Sequence, residues 1–184
     1  IPLQHCNKQI LRDMNRPGAR ETIEALISKV REKVPGITVR TTLIAGFHGE
    51  TEEQFEELCQ FVKDMRFDRL GCFAYSPEEG TPAAEMEGQL DEQLKIHRAE
   101  IVTEEQMNIM AQQNEKKVGQ TVTVVTEGFD RFGECYFGRS EADAPDIDGK
   151  IFFTSEKKLS VGDFVKAALE DTLDLDLIGS VVED

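Results

Sequence analysis

Residues 37–65 read ITVRTTLIAGFHGETEEQFEELCQFVKDM, and the hydrophobic period changes partway along this stretch. Ile37–Phe47 is rich in β-branched residues and nearly continuous in apolar character toward its end, which predicts a parallel strand covered on both faces. Thr51 then suits a helix N-cap, and Gln54 three residues on completes a capping box. Phe55, Leu58, Val62 and Met65 fall at helical spacing as a buried stripe, while Glu52, Glu53, Glu56 and Glu57 crowd the first turns, where the helix dipole favours anions. A buried strand running straight into a capped amphipathic helix is one unit of a parallel α/β layer.

The same alternation extends both ways. Upstream, Ile1–Gln4 reads as a short apolar strand end. Ile23, Leu26, Ile27, Val30 and Val34 then give a helix from Glu21 that Pro35-Gly36 closes. Downstream, Leu70–Tyr75 is the next strand, ended by Ser76-Pro77, and a long polar helix runs from about Asp91 to Lys117. Three strands cannot close a barrel, so an unpaired parallel edge and a half-filled core are expected.

Beyond Lys116–Gly119 the period shortens. Thr121–Glu127, Glu134–Arg139, Lys150–Phe153, Phe164–Glu170 and Leu175–Val182 read as five strands separated by Gly, Asp and Pro turn signals. Five short strands predict a small barrel of the OB type. The expected organisation is therefore α/β over 1–117, then all-β over 118–184.

The 184 residues carry 21 Lys plus Arg against 36 Asp plus Glu, a formal charge of −15. Such a field repels polyanions such as RNA unless a local basic patch overrides it, and attracts basic proteins. No apolar run approaches a membrane span and no targeting peptide is evident, so a cytoplasmic protein is expected. The chain lacks an initiator Met and opens on an apolar run, as expected of a piece beginning partway through a larger protein. Cys6, Cys59, Cys72 and Cys135 form no C-x-x-C or other metal-ligand spacing and read as reduced thiols.

Several strings resemble one family in order along the chain: IPLQH, MNRPG, RTTLIAGFHGETEEQFEEL, FAYSPEEGTPAA, NEKKVGQ and GRSEADAPDIDG. They are similar to the radical-SAM methylthiotransferases, built from an N-terminal cluster domain, a radical-SAM barrel and a C-terminal TRAM barrel. The resemblance implies that residues 1–117 are the C-terminal part of a (βα)6-type barrel, followed by a five-stranded OB-like TRAM barrel. FAYSPEEGTPA and GRSEADAPDIDG look like the RimO-type branch, which modifies an aspartate of a small-subunit ribosomal protein. From Val118 to Asp184, 15 acidic residues face six basic ones, a charge of −9. An acidic barrel of that kind suits a basic ribosomal protein better than RNA, so no direct tRNA binding is expected. A tRNA-modifying enzyme of the same family and a non-catalytic protein-binding module stand as alternatives.

The resemblance further implies S-adenosyl-L-methionine and two [4Fe-4S] clusters in the whole enzyme. SAM would be cleaved to a 5′-deoxyadenosyl radical that abstracts a β-hydrogen from the target aspartate. The cluster-binding cysteine motifs have no match here, so these residues contain no catalytic or metal-ligating group and the chain alone is expected to be inactive. Ligands of parallel α/β barrels sit at the carboxyl ends of strands. The expected SAM-facing residues are thus Gln4 and His5, then Arg40, Thr42, Ile44 and Gly46, then Tyr75 and Ser76. Arg40, Thr42 and Ile44 share one face by alternation. Arg40 suits the SAM carboxylate or a structural salt bridge, Ile44 the adenine or core packing, and Gly46 close approach of the flat base. His5 beside Cys6 is not expected to act as a nucleophile pair, since their side chains are expected on opposite faces of a strand and no carboxylate orients the imidazole. His48, where the family usually has Pro, reads as an exposed loop residue. Glu78, Glu79, Glu134, Asp143, Asp146 and Asp148 are the expected substrate-docking acids. Reconstitution with iron and sulfide is expected to leave the 184-residue chain colourless; a brown product with visible charge-transfer absorbance would contradict that.

Overall fold

The computed structural model describes residues 1–182, and the chain divides into two compact units, Ile1–Ile109 and Met110–Asp184. In the first unit, strands β1 (Arg40–Ala45) and β2 (Arg69–Ala74) pair in parallel, with Arg40 opposite Arg69 and Ala45 opposite Ala74. The amino-terminal segment adds a single parallel bridge, Gln4 to Leu43. Its bonds are Gln4 N–H to Thr42 O (2.9 Å) and Ile44 N–H to Gln4 O (2.7 Å). The strand expected over Ile1–Gln4 shrinks to that bridge because Pro2 has no N–H to donate and Gln4 turns to φ +71.

Helix α2 (Arg20–Lys33) buries Ile23 and Ile27, whereas Leu26 and Val34 of the expected stripe are exposed. Helix α3 (Glu52–Met65) has both halves of the Thr51–Gln54 capping box, at 3.3 and 2.9 Å. Phe55, Leu58, Val62 and Met65 are buried as expected, joined by Phe61. Each such side chain contributes roughly 2–3 kcal/mol of burial. These helices pack on the face of β1 that presents Thr41, Leu43 and Ala45, so one apolar core joins α2, α3, the strands and the long helix α4 (Glu92–Glu115). The opposite face of β1, with Arg40, Thr42 and Ile44, is less buried, and Phe73 of β2 is 61% exposed. That is the half-filled core expected of too few strands.

Two short elements escaped the sequence reading. Helix α1 (Lys8–Asp13) has six residues, too few to display a period, and is set by Asn7 Oδ1 accepting from Gln9 and Ile10 N–H. A 3-10 turn at Pro82–Glu85 follows Thr81, which caps it through Ala84 N–H.

The second unit is a closed five-stranded barrel: β3 (Thr121–Asp130), β4 (Cys135–Arg139), β5 (Ile151–Thr154), β6 (Phe164–Leu173) and β7 (Asp176–Val181). Round the barrel the order is β3-β4-β5-β7-β6, with every pair antiparallel except β5–β7. Val124, Ile151, Phe153, Ala167, Leu169 and Leu177 fill it. The division between the two compact units falls inside α4. The helix end goes with the barrel because Asn114 Nδ2 donates to Leu175 O (2.9 Å) and Gly119 N–H to Leu169 O (2.7 Å).

Barrel closure depends on glycines where strands approach. A Cβ at Gly138 would lie 2.0 Å from Val125 O, and one at Gly179 2.2 Å from Ala168 O. Backbone cannot yield as a side chain can, so Gly138→Ala is expected to cost about 3 kcal/mol. Urea denaturation followed by near-ultraviolet circular dichroism would check this, and an unchanged midpoint would contradict it.

Candidate functional site

The carboxyl ends of the Gln4 segment, β1 and β2 meet the start of α4 around one buried carboxylate. Glu50, wholly buried in its side chain, follows the turn that ends β1. Its Oε1 accepts from Gly46 N–H (3.0 Å) and Arg98 Nη1 (2.9 Å), and its Oε2 accepts from His5 Nε2 (3.2 Å). Arg98 Nη1 also donates to Glu50 O (3.0 Å), Nη2 to Glu52 Oε2 (2.7 Å), and the guanidinium lies 5.0 Å from the centre of the Phe55 ring. Asn7 N–H points at His5 Nδ1 (2.9 Å), which leaves the ring proton on Nε2, facing Glu50. A buried carboxylate is tolerated only with such a full set of donors.

This arrangement corrects the reading of His5, whose imidazole is oriented by a carboxylate 45 residues away in sequence. Asn7 joins the same tie: its Nδ2 donates to Glu57 Oε2 (2.6 Å), and Gln54 Nε2 donates to its Oδ1 (3.3 Å). The sequence reading missed Glu50, Arg98 and Lys95. The available signal was polar residues standing at 95, 98 and 106 within the row that α4 buries beside Ala99, Val102 and Ile109.

Gly46 has φ +75, and a Cβ there would lie 2.6 Å from Lys95 Cγ, 2.8 Å from its Cβ and 2.9 Å from its Cα. The space that glycine leaves is therefore taken by α4, not held open for a ligand base. Lys95 is itself buried, its Nζ 3.2 Å from Glu92 Oε2 and 5.5 Å from the centre of the Tyr75 ring.

Tyr75 packs with Ile10 and Phe47 in a small apolar cluster, with Ile44, Met86 and Ala83 against it. Its hydroxyl is shut off from solvent with no hydrogen-bond partner among the described residues, and so is Gln4 Oε1. Burial, with the Glu78 carboxylate adding to it, pushes the Tyr75 phenol above its ordinary value. Gln4, His5, Ile44, Gly46 and Tyr75 thus lie at the strand ends. Arg40 opens β1 at its far end, and Ser76 is exposed just past Tyr75. His48 is half-buried rather than exposed, its Nδ1–H donating to Glu87 O (2.9 Å).

The docking acids divide between the two units. Glu78 and Glu79 are exposed, and Glu78 O accepts from Thr81 Oγ1 (2.7 Å). Glu134 sits in the β3–β4 turn at φ +51. Asp143 accepts from Ser140 N–H and Oγ (3.1 and 2.6 Å), and Asp148 from Ala144 N–H (2.6 Å), so both build the β4–β5 loop; Asp146 is exposed there. Among the described residues no three His, Cys, Asp or Glu side chains converge to hold a metal, and no helix is long and apolar enough to cross a membrane. Burial raises every cysteine thiol: Cys72 is pushed up to about 12, with Glu50 adding to the effect, and Cys6 further.

Residues 118–182 match the family model of the TRAM domain. Over its whole length the chain is similar to proteins named ribosomal protein uS12 methylthiotransferase RimO. The relative from Desulforamulus reducens is 45% identical over 184 residues, covering 100% of this chain and 41% of its own length. Those from Pelotomaculum thermopropionicum and Bdellovibrio bacteriovorus are 47% and 45% identical over 183 residues, covering 99% of this chain and 41% and 40% of their own lengths. The chain thus spans about two fifths of the curated relatives it matches.

Gly46→Ala is expected to destabilise the first unit by about 3 kcal/mol, from strained φ and overpacking together. Lys95→Ala added to it is expected to restore little, because the Lys95 Cβ and Cα still clash. Full recovery of the thermal midpoint in the double variant would contradict this packing.

Proposed function

We propose that this chain belongs to the RimO-type methylthiotransferase family and supplies two parts of such an enzyme: a SAM-facing wall and an acidic barrel that docks the protein substrate. The reaction proposed for the whole enzyme is methylthiolation at the β-carbon of an aspartate in ribosomal protein uS12, in the cytoplasm. Both uS12 and the methylthio transfer stand in the names of relatives aligned over the whole of this chain.

The strand ends fit SAM on one observation: the Tyr75 hydroxyl and Gln4 Oε1 are buried polar atoms without partners, a costly state that a polar ligand relieves. Gln4, Ile44 and Tyr75 would hold it, and when bound it supplies the adenosyl and methyl groups. Glu50 touches no ligand in this scheme. It fixes the Gly46 amide and the His5 ring, and so positions the loops that follow the strands. Arg98 holds that carboxylate in place. The [4Fe-4S] clusters do not fit these residues, since the four cysteines share no site and burial disfavours every thiolate. Their ligation is assigned to segments outside this chain.

The observation that carries the substrate reading is the −9 charge of residues 118–184. Neutralising phosphates is how a barrel gains affinity for RNA, and this one would pay the reverse. A cationic polypeptide meets a complementary field. Labelled uS12 and labelled tRNA titrated against the chain between low and physiological salt would test it. Binding of uS12 that weakens with salt, with tRNA at least tenfold weaker, is expected. Tighter, salt-sensitive tRNA binding would reverse the assignment.

A further inference from the structure

Among the described residues β2 pairs only with β1, and its other edge carries no strand. Tyr75 N–H bonds to Ala45 O (2.9 Å), so by the period of two the amides of Gly71 and Phe73 also face β1. The N–H and C=O groups of Cys72 and Ala74 therefore point to the open edge. Natural edges are guarded by exposed lysines, prolines or bulges. The strand RLGCFA has none of these: its one cation, Arg69, is buried, and its pairing runs unbroken from Arg40–Arg69 to Ala45–Ala74.

Beside this edge α4 carries a second row of side chains. Its buried row is Ala99, Val102, Gln106 and Ile109, whereas Ile96 and Met107 are 38% and 48% exposed. Ile96, Glu100, Thr103 and Met107 recur at helical spacing along the flank of β2. With Cys72 and Ala74 they line a cavity of about 400 Å³, rimmed by the Glu100 and Glu104 carboxylates and by no Lys or Arg.

We propose that the open edge of β2 and this flank of α4 form a docking groove for an extended, basic segment of the polypeptide substrate. Resting on the protein-substrate reading above, the inference adds where in the first unit that substrate is held. The segment adds as a strand, satisfying the outward amides and carbonyls of Cys72 and Ala74. Alternate side chains enter the apolar cavity, and neighbouring lysines or arginines meet Glu100 and Glu104. Charge selects the occupant: a nucleic acid would set phosphates against two carboxylates.

The test is residue-resolved amide exchange of the 184-residue chain with and without purified uS12, paired with affinities of two variants. Exchange of the Cys72 and Ala74 amides is expected to slow at least tenfold on adding uS12. Glu100→Lys combined with Glu104→Lys is expected to weaken binding at least tenfold. Ala74→Pro, which removes an outward N–H and leaves the β1 ladder intact, is expected to do the same. Binding of uS12 with exchange at these amides unchanged would overturn the groove while sparing the protein-substrate reading. Absence of uS12 binding would overturn both. Protection that grows with chain concentration alone, or that tRNA also produces, would overturn it in favour of a second copy or of nucleic acid.

Discussion

A single buried carboxylate organises the strand ends of the first unit. Glu50 gathers the imidazole that follows the first bridge, the amide that ends β1 and a guanidinium from α4. Removing a carboxylate from water costs several kcal/mol, and only a complete donor set offsets it. The three donors are 45, 4 and 48 residues away, so the charge is satisfied only when the unit is fully assembled. Gly46 belongs to the same constraint from the other side: with no Cβ it lets α4 come close enough for Arg98 to reach in. Positioning at the strand ends thus follows from burial energetics before any ligand is considered.

That dependence explains what the sequence revealed and what it hid. The capping box at Thr51–Gln54, the parallel strand before it and the apolar stripe after it are local, and each was legible from neighbours three or four residues apart. The five barrel strands were legible too, because turn residues bracket each one. The β5–β7 pairing, which closes the barrel in parallel, is long-range and carries no local mark. His5 shows the same limit. Judged from its neighbours it lacks an orienting carboxylate, and the one it has comes from the far side of two helices and a strand. The reason for Gly46 was hidden likewise, since a glycine that admits a ligand and one that admits a helix read alike.

The two units divide the proposed labour by chemistry. The first offers buried polar atoms without partners, Tyr75 hydroxyl and Gln4 Oε1, in an apolar setting that suits a small polar cofactor. The second offers a closed barrel with an apolar filling, in a segment where acids outnumber bases. Several acids first noticed for docking turn out to build their own loop, as Asp143 and Asp148 do by accepting backbone N–H bonds. Long-range attraction survives that use, because it follows the charge summed over the whole segment and not the few acids that also hold a turn.

The most direct test of the central claim is a double-mutant cycle on Glu50 and Arg98, using Glu50→Gln and Arg98→Met in chemical denaturation. Each single variant strands a buried polar group, so the pair is expected to couple by about 2 kcal/mol, with the double variant less damaged than the sum. Additivity within about 0.5 kcal/mol would show that the two side chains do not depend on each other, and the carboxylate could not then be what holds the strand ends.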